Sequence, residues 1–270
     1  MLKGFKFTLF SAIFIIGAFI SESLYIIYLN SKIEESADVA ELIQKSGEAL
    51  AGADLNLKDE LIYDYAILNA NGEILSYEDS GENFSQVLVY HHGMLTQIPK
   101  AVAKFCEENQ IRLILVYRGG HFKSSLFKND DTLLKFGLRM KEFLSGIGVA
   151  KFSVLGESTG AIYALATAAA CERMVQNLFL LSPFVALKEL LPLFANGAQL
   201  EQIYGFLRNA SIDEAVAATK NMYTNASPTM LRLVEPQMEG IGFDSWMQTR
   251  PLGFEIDKIE QNSIVWHSKE

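Results

Sequence analysis

Apolar and polar positions divide the chain into four zones. Phe7 to Ile20 is apolar except at Thr8 and Ser11, and a second apolar run, Leu24 to Leu29, follows Ser21-Glu22-Ser23. Residues 31–57 are polar and rich in Glu, Ala and Asp, with sparse apolar positions at Ile33, Val39, Leu42, Ile43 and Leu50, a pattern that fits a stalk helix or linker. Ile62–Leu68 and Glu73–Glu78 then flank Asn69-Ala70-Asn71-Gly72, and Asn-Gly supplies the positive φ values of a tight turn, so an antiparallel hairpin is expected near residue 58 onward. From Ser85 the rhythm changes to short apolar strands alternating with helix-period segments. Strands are expected at Gln86–Tyr90, Arg112–Tyr117, Phe152–Leu155 and Leu178–Leu181. Helices are expected at Gln97–Asn109, Thr132–Gly146 and from Ala161 to Ala170.

Such alternation implies a parallel sheet with helices on both faces, whose chemistry lies beyond the carboxyl ends of the strands. His91–Met94, Arg118–Ser125 and Gly156–Gly160 all fall there. After Pro183 the rhythm breaks into helical stretches at Ala186–Phe194, Leu200–Leu207, Ile212–Tyr223 and Thr229–Val234, an expected helical cap over residues 183–250. Residues 251–270 return to the core, with a last strand at Ser263–Trp266.

The segment Val154-Leu155-Gly156-Glu157-Ser158-Thr159-Gly160-Ala161 carries the candidate chemistry. A strand, then Gly-x-Ser-x-Gly, then a helix is the context of a nucleophile elbow. The two glycines leave room for a tight turn, and the serine is held at a helix N-terminus, where developing negative charge is favoured. The plainer alternative is a serine that caps the helix.

Taken in order, the Asn71-Gly72 hairpin, the strand ending in His92-Gly93, the Arg118-Gly119-Gly120…Ser124 loop and Gly156-Glu157-Ser158-Thr159-Gly160 resemble the α/β-hydrolase superfamily, in its serine-nucleophile branch. The resemblance runs from about Leu61 to Glu270, with a weaker match from Pro251 to His267. It implies a hydrolase core over residues 58–182 and an esterase-, lipase- or peptidase-like activity through an acyl-enzyme. Ser158 would be the nucleophile, set between Gly156 and Gly160. The backbone amides of Met94, after the oxyanion loop His92-Gly93, and of Thr159 would form the oxyanion hole. No metal or organic cofactor is implied. In this branch the acid follows the strand expected at Ser263–Trp266, in a His-Gly-x-x-Asp pattern, where the chain reads His267-Ser268-Lys269-Glu270. The acid would be the next residue, and Glu270 could serve only if the loop were one residue shorter. The histidine would follow one further strand, so the final strand and helix of the fold are expected to be missing. Neither His91, His92 nor His121 matches the location of the base. Two readings stand: a truncated hydrolase, inactive as it is, or a non-catalytic relative that binds a ligand or scaffolds a partner.

Composition narrows the partners. Lys+Arg is 23 and Asp+Glu is 32, a formal charge of −9, which argues against nucleic acid. The cap's Phe, Tyr, Trp and Met residues suggest a small acyl substrate of apolar character, or simply packing of cap on core. Cys106 and Cys171 lack metal-type spacing and read as buried thiols. At the N-terminus, Phe7–Ile20 would span only ~21 Å as helix, as in a signal-peptide core, whereas Phe7–Leu29 would reach ~34 Å and cross a bilayer. Residues 1–30 are therefore expected to be a membrane anchor, spanning 7–29, or a cleaved signal. Lys3 and Lys6 precede the run and Glu34, Glu35 and Asp38 follow it, so either reading puts the globular part on the non-cytoplasmic side, anchored, secreted or periplasmic.

Overall fold

The computed structural model describes residues 64–67, 73–81, 84–95, 100–128, 130–185, 188, 197–226 and 228–266. The expected anchor, the linker, the Asn71-Gly72 turn, the helix at Ala186–Phe194 (save Lys188), His267 and Glu270 lie outside the described residues. Among the described residues no helix is long and apolar enough to cross a membrane.

The strands are β1 (Asp64–Ile67), β2 (Ile74–Asp79), β3 (Gln86–His91), β4 (Ile111–Val116), β5 (Phe152–Glu157), β6 (Val175–Leu181) and β7 (Asn262–Trp266). They form one seven-stranded sheet in the order β1-β2-β4-β3-β5-β6-β7. The hairpin β1–β2 is antiparallel, with Ile67 opposite Ile74, and β2 is antiparallel to β4. All other neighbours run parallel. Two expected strands are longer than their apolar runs. β5 continues through Gly156 and Glu157, and β6 starts at Val175, because pairing between neighbours extends past the last aliphatic residue.

Helices α1 (Lys100–Glu108), α2 (Leu133–Gly146) and α3 (Gly160–Ala170) make the crossovers. On one face, Phe136, Met140, Phe143 and Leu144 of α2 and the aliphatic residues of α3 pack on Val89, Ile114, Val116 and Val154. On the other, Cys106 of α1 joins Leu88, Tyr90, Leu113, Leu115, Tyr117 and Leu155. Side chains alternate across each strand, so a strand buried on both faces must be apolar at every position, as β4 is after its first two residues.

Between β6 and β7 lie α4 (Gly197–Asn209), α5 (Ile212–Met222), α6 (Pro228–Val234) and α7 (Met238–Met247). α5 is closed at its N-terminus by a capping box in which Ser211 and Glu214 bond each other's backbone. α7 was not expected from the sequence. It is buried on every side from Gly240 to Met247, so it has no polar face to set a helical period. β7 pairs with β6 on one side, and the sheet order ends on it. Among the described residues β7 is exposed along its whole length, Trp266 to 55%.

The strand order fixes where a site can form. The chain leaves β3 for β4 on one side and leaves β5 for β6 on the other, although β3 and β5 are neighbours. Connections that part in this way open a crevice at the strands' carboxyl ends. His92 follows β3 there, and Ser158 follows β5.

Candidate active site

Ser158 stands at φ 53°, in the left-handed region that L-residues other than Asn and Asp rarely enter. Its backbone is held on both sides, with its N–H donating to Leu181 O at 2.9 Å and its carbonyl accepting from Ala161 N and Phe184 N, each at 3.1 Å. The flanking glycines are sterically required. A Cβ on Gly156 would lie 2.6 Å from Gly160 O and 2.7 Å from Ala161 Cα. One on Gly160 would lie 2.1 Å from His91 O and 2.5 Å from His92 O. α3 therefore starts in direct contact with the end of β3. The serine does not cap this helix: the N-cap is Thr159, with no side-chain cap bond, and Ser158 Oγ is buried with no hydrogen-bond partner among the described residues.

The loop after β3 passes beside this turn, and the pro-Cβ position of Gly93 is 3.7 Å from Ser158 Cβ. Met94 and Thr159 are both buried. Among the described residues neither of their amides donates to another backbone carbonyl. Thus Gly156, Ser158, Thr159, Gly160, His92, Gly93 and Met94 come together around one point, while Glu270 lies outside the described residues.

Behind the loop is a buried polar cluster that the sequence reading did not find. Arg118, at the end of β4, donates from Nη1 to His92 O at 2.5 Å and from Nη2 to Gly93 O at 2.9 Å. Its Nε and Nη2 also reach the Asp244 carboxylate of α7, the shortest contact being 2.5 Å. Tyr163 of α3 donates its hydroxyl to Asp244 Oδ1 at 2.6 Å, and His121 Nε2 lies 2.9 Å from Asp244 Oδ2. Burial alone would push the Asp244 carboxyl up. The Arg118 guanidinium, then His121, overcome this and hold it well below the usual carboxylate range. Burial raises the Tyr163 hydroxyl, and the Asp244 charge raises it further, so it stays a donor. A signal existed: Asp244 is a lone carboxylate in the apolar run Gly242-Phe243-Asp244-Ser245-Trp246, and a buried acid demands a partner.

α7 fits the core closely. A Cβ on Gly240 would sit 2.1 Å from the His121 ring, and Gly240 N donates to Gly120 O at 2.8 Å. Gln248, just past α7, donates from Nε2 to Thr159 Oγ1 at 3.2 Å, beside the serine.

The three described histidines are engaged away from Ser158. His91 Nε2 lies 2.9 Å from Thr167 Oγ1, whose hydroxyl proton already goes to Tyr163 O, so His91 donates from Nε2. His92 Nδ1 contacts Gly93 O at 2.7 Å. Burial, then Arg118, lowers His91 to about 3 and carries His92 well below its ordinary value. His121 is lowered by burial against the opposing pull of Asp244, and its Nδ1 faces Gln237 Oε1 at 3.3 Å. On the other side of the elbow, Tyr90 donates its hydroxyl to Glu157 Oε2, and burial pushes the Glu157 carboxyl up to about 7. Cys106 and Cys171 are buried free thiols.

A mostly parallel sheet with helices on both faces, a tight serine turn after β5 and a helical insert before β7 together make the α/β-hydrolase fold. The solved structures agree. A hydrolase from Pseudomonas aeruginosa is similar at a TM-score of 0.52 and 18% identity, over 78% of this chain and 80% of that one. The enol-lactonase of Burkholderia xenovorans is similar at 0.52 and 16%, over 75% and 80%. A thermophilic esterase from Thermogutta terrifontis is similar at 0.51 and 16%, over 76% and 79%. No family model matches the sequence, and no curated protein matches it.

Proposed function

We propose that this protein is a serine hydrolase that cleaves an ester, thioester or amide through an acyl-enzyme on Ser158. The observation that carries the reading is the buried Ser158 at φ 53°, its Oγ without a hydrogen-bond partner among the described residues, beside the loop His92-Gly93-Met94. Ser158 Oγ would attack the substrate carbonyl carbon. The electron pair moves onto the carbonyl oxygen, which the amides of Met94 and Thr159 would receive; its return expels the leaving group, which takes up the serine proton, and water then cleaves the acyl-enzyme to the acid and free Ser158. Each such amide is worth roughly 3 kcal/mol when it is already aimed at the developing charge. The solved structures of similar fold include an esterase and an enol-lactonase, which agrees with acyl chemistry on this scaffold. The reading extends to an apolar acyl group under the helical insert. It also extends to a globular part on the non-cytoplasmic side of a membrane, tethered by residues 7–29 or released by signal cleavage.

Attack requires a group that takes the serine proton. Among the described residues, His91, His92 and His121 all hold other partners, so none of these three takes it. The same observation favours a second reading, a hydrolase-fold binding or scaffold protein. A fluorophosphonate probe separates the two when applied to the protein expressed with any coding sequence that continues past Glu270. Covalent labelling of Ser158, abolished in Ser158→Ala, is the expected result. No labelling in that form, together with ligand binding that survives Ser158→Ala, would overturn catalysis in favour of binding.

A further inference from the structure

Arg118 is bonded to two parts of the molecule that are far apart in sequence. Nη1 and Nη2 donate to the carbonyls of His92 and Gly93, in the loop after β3. Nε and Nη2 donate to Asp244, on the last helix of the insert. Arg118 and Asp244 are fully buried. Asp244 is in turn fixed by Tyr163 and His121, and the Arg118 guanidinium carbon lies 4.6 Å from the centre of the Tyr163 ring.

This arrangement constrains one peptide unit. In a trans peptide the C=O and N–H point in opposite directions, and no cis bond occurs among the described residues. With Gly93 O drawn onto the guanidinium, the N–H of Met94 must point to the opposite side of the loop. Gly93 is also the residue whose pro-Cβ position faces Ser158. A planar fork with several donors can hold two successive carbonyls and a carboxylate together, which a lysine ammonium on a flexible stem cannot do with the same geometry.

We infer that Arg118 is a positioning residue that aims the Met94 amide toward Ser158, and that Asp244 makes this aim depend on the seating of α7. The use of that amide as an oxyanion donor rests on the serine-hydrolase reading; its orientation does not. A substrate or partner that shifts α7 would act on the amide through this ion pair, without touching the serine.

The test uses the full chain labelled with 15N at its eight methionines, with the Met94 resonance assigned by loss in Met94→Leu. Wild type, Arg118→Lys, Arg118→Met and Asp244→Asn are compared for the Met94 amide shift and its hydrogen-exchange rate. Met140, in the core between α2 and the sheet, serves as the internal control. The fluorophosphonate labelling rate of Ser158 is measured alongside, in the same variants expressed with any coding sequence that continues past Glu270. The expected result is a displaced and faster-exchanging Met94 amide in all three variants, with Met140 unmoved. Labelling should fall roughly 10²-fold in Arg118→Met, with partial recovery in Arg118→Lys. Asp244→Asn keeps the side chain's shape, so it remains informative if Arg118→Met fails to fold. A Met94 amide unchanged in a folded Asp244→Asn or Arg118→Lys protein would overturn the inference. If wild type continued past Glu270 never labels while Met94 still moves as expected, the positioning role stands and the hydrolase reading falls.

Discussion

Arg118 Nη2 and Asp244 Oδ2 meet at 2.5 Å where neither side chain has any exposure. Two charges cannot be left in such a place singly, because the lost hydration of the survivor has no replacement. Removing the carboxylate strands three donors at once, Arg118 Nε, the Tyr163 hydroxyl and His121 Nε2, and leaves the guanidinium charge unpaired. Asp244→Ala is expected to cost about 3–5 kcal/mol of folding stability. The double variant Arg118→Met with Asp244→Leu should cost less than the sum of its single changes, by roughly 1–3 kcal/mol. Urea unfolding of the four proteins measures this, and strict additivity would show that the pair is not energetically coupled.

The start of α3 tolerates no side chain at Gly160. An added Cβ would lie 2.1 Å from His91 O, which is backbone at the end of a paired strand and cannot swing aside. Gly160→Ala should therefore destabilise by about 3 kcal/mol or more, since either the helix start or β3 must move. Gly205 in α4 provides the contrast, because nothing lies within 4 Å of its added Cβ. There an alanine should stabilise by up to ~1 kcal/mol through helix propensity alone. Thermal unfolding of the two variants should shift in opposite directions, and a common sign would contradict the steric account.

These two cases also show what the sequence made legible. Gly156, Ser158 and Gly160 were readable because a local pattern of strand, tight turn and helix constrains them, and each acts through near neighbours. The strands were readable for the same reason: β4 is a run of aliphatic residues from Leu113 to Val116, and its burial on both faces requires that. Asp244 and Tyr163 were not found, since their roles exist only in the contact of α7 with α3 and β4, across more than 80 residues of sequence. α7 itself was hidden by its burial. With apolar residues and glycines on all sides, it carries neither a helical period nor a charge pattern. His121 was legible only as a histidine away from the place of the base, whereas its ring closes the Asp244 cluster.

Glu157 should make stability fall as pH rises. Burial raises its carboxyl from 4.5 to about 7, with Tyr90 opposing the shift as a donor. A pKa raised in the folded state gives a contribution that is full below the unfolded value of 4.5 and is lost as pH climbs through about 7. The span corresponds to about 3 kcal/mol at most. Glu157→Gln keeps an acceptor for Tyr90 and cannot ionise. Stability of wild type minus that of Glu157→Gln should therefore decline between pH 4.5 and 8, as read from urea midpoints at each pH. A flat difference would mean that the carboxyl finds solvent or a cation when it ionises.

His91 should act in the opposite direction, toward acid. Its Nε2 donates to Thr167 Oγ1, and its Nδ1 is buried without a hydrogen-bond partner among the described residues. A second proton would be placed on that nitrogen, next to the Arg118 charge, and the ring's value accordingly falls from 6.5 to about 3. Above pH 6.5 neither the folded nor the unfolded ring is protonated, and His91 adds no pH dependence. Below it the unfolded chain binds a proton that the folded chain refuses, so stability drops by about 1.4 kcal/mol per pH unit until the folded ring titrates. At pH 4.5 the deficit should be about 3 kcal/mol. His91→Gln retains a donor for Thr167 and has nothing to titrate. Relative to that variant, wild type should lose stability steadily as pH is lowered from 6.5. An NMR titration should leave the His91 ring carbons unshifted down to about pH 4, whereas a midpoint near 6.5 would show that water or an anion reaches Nδ1.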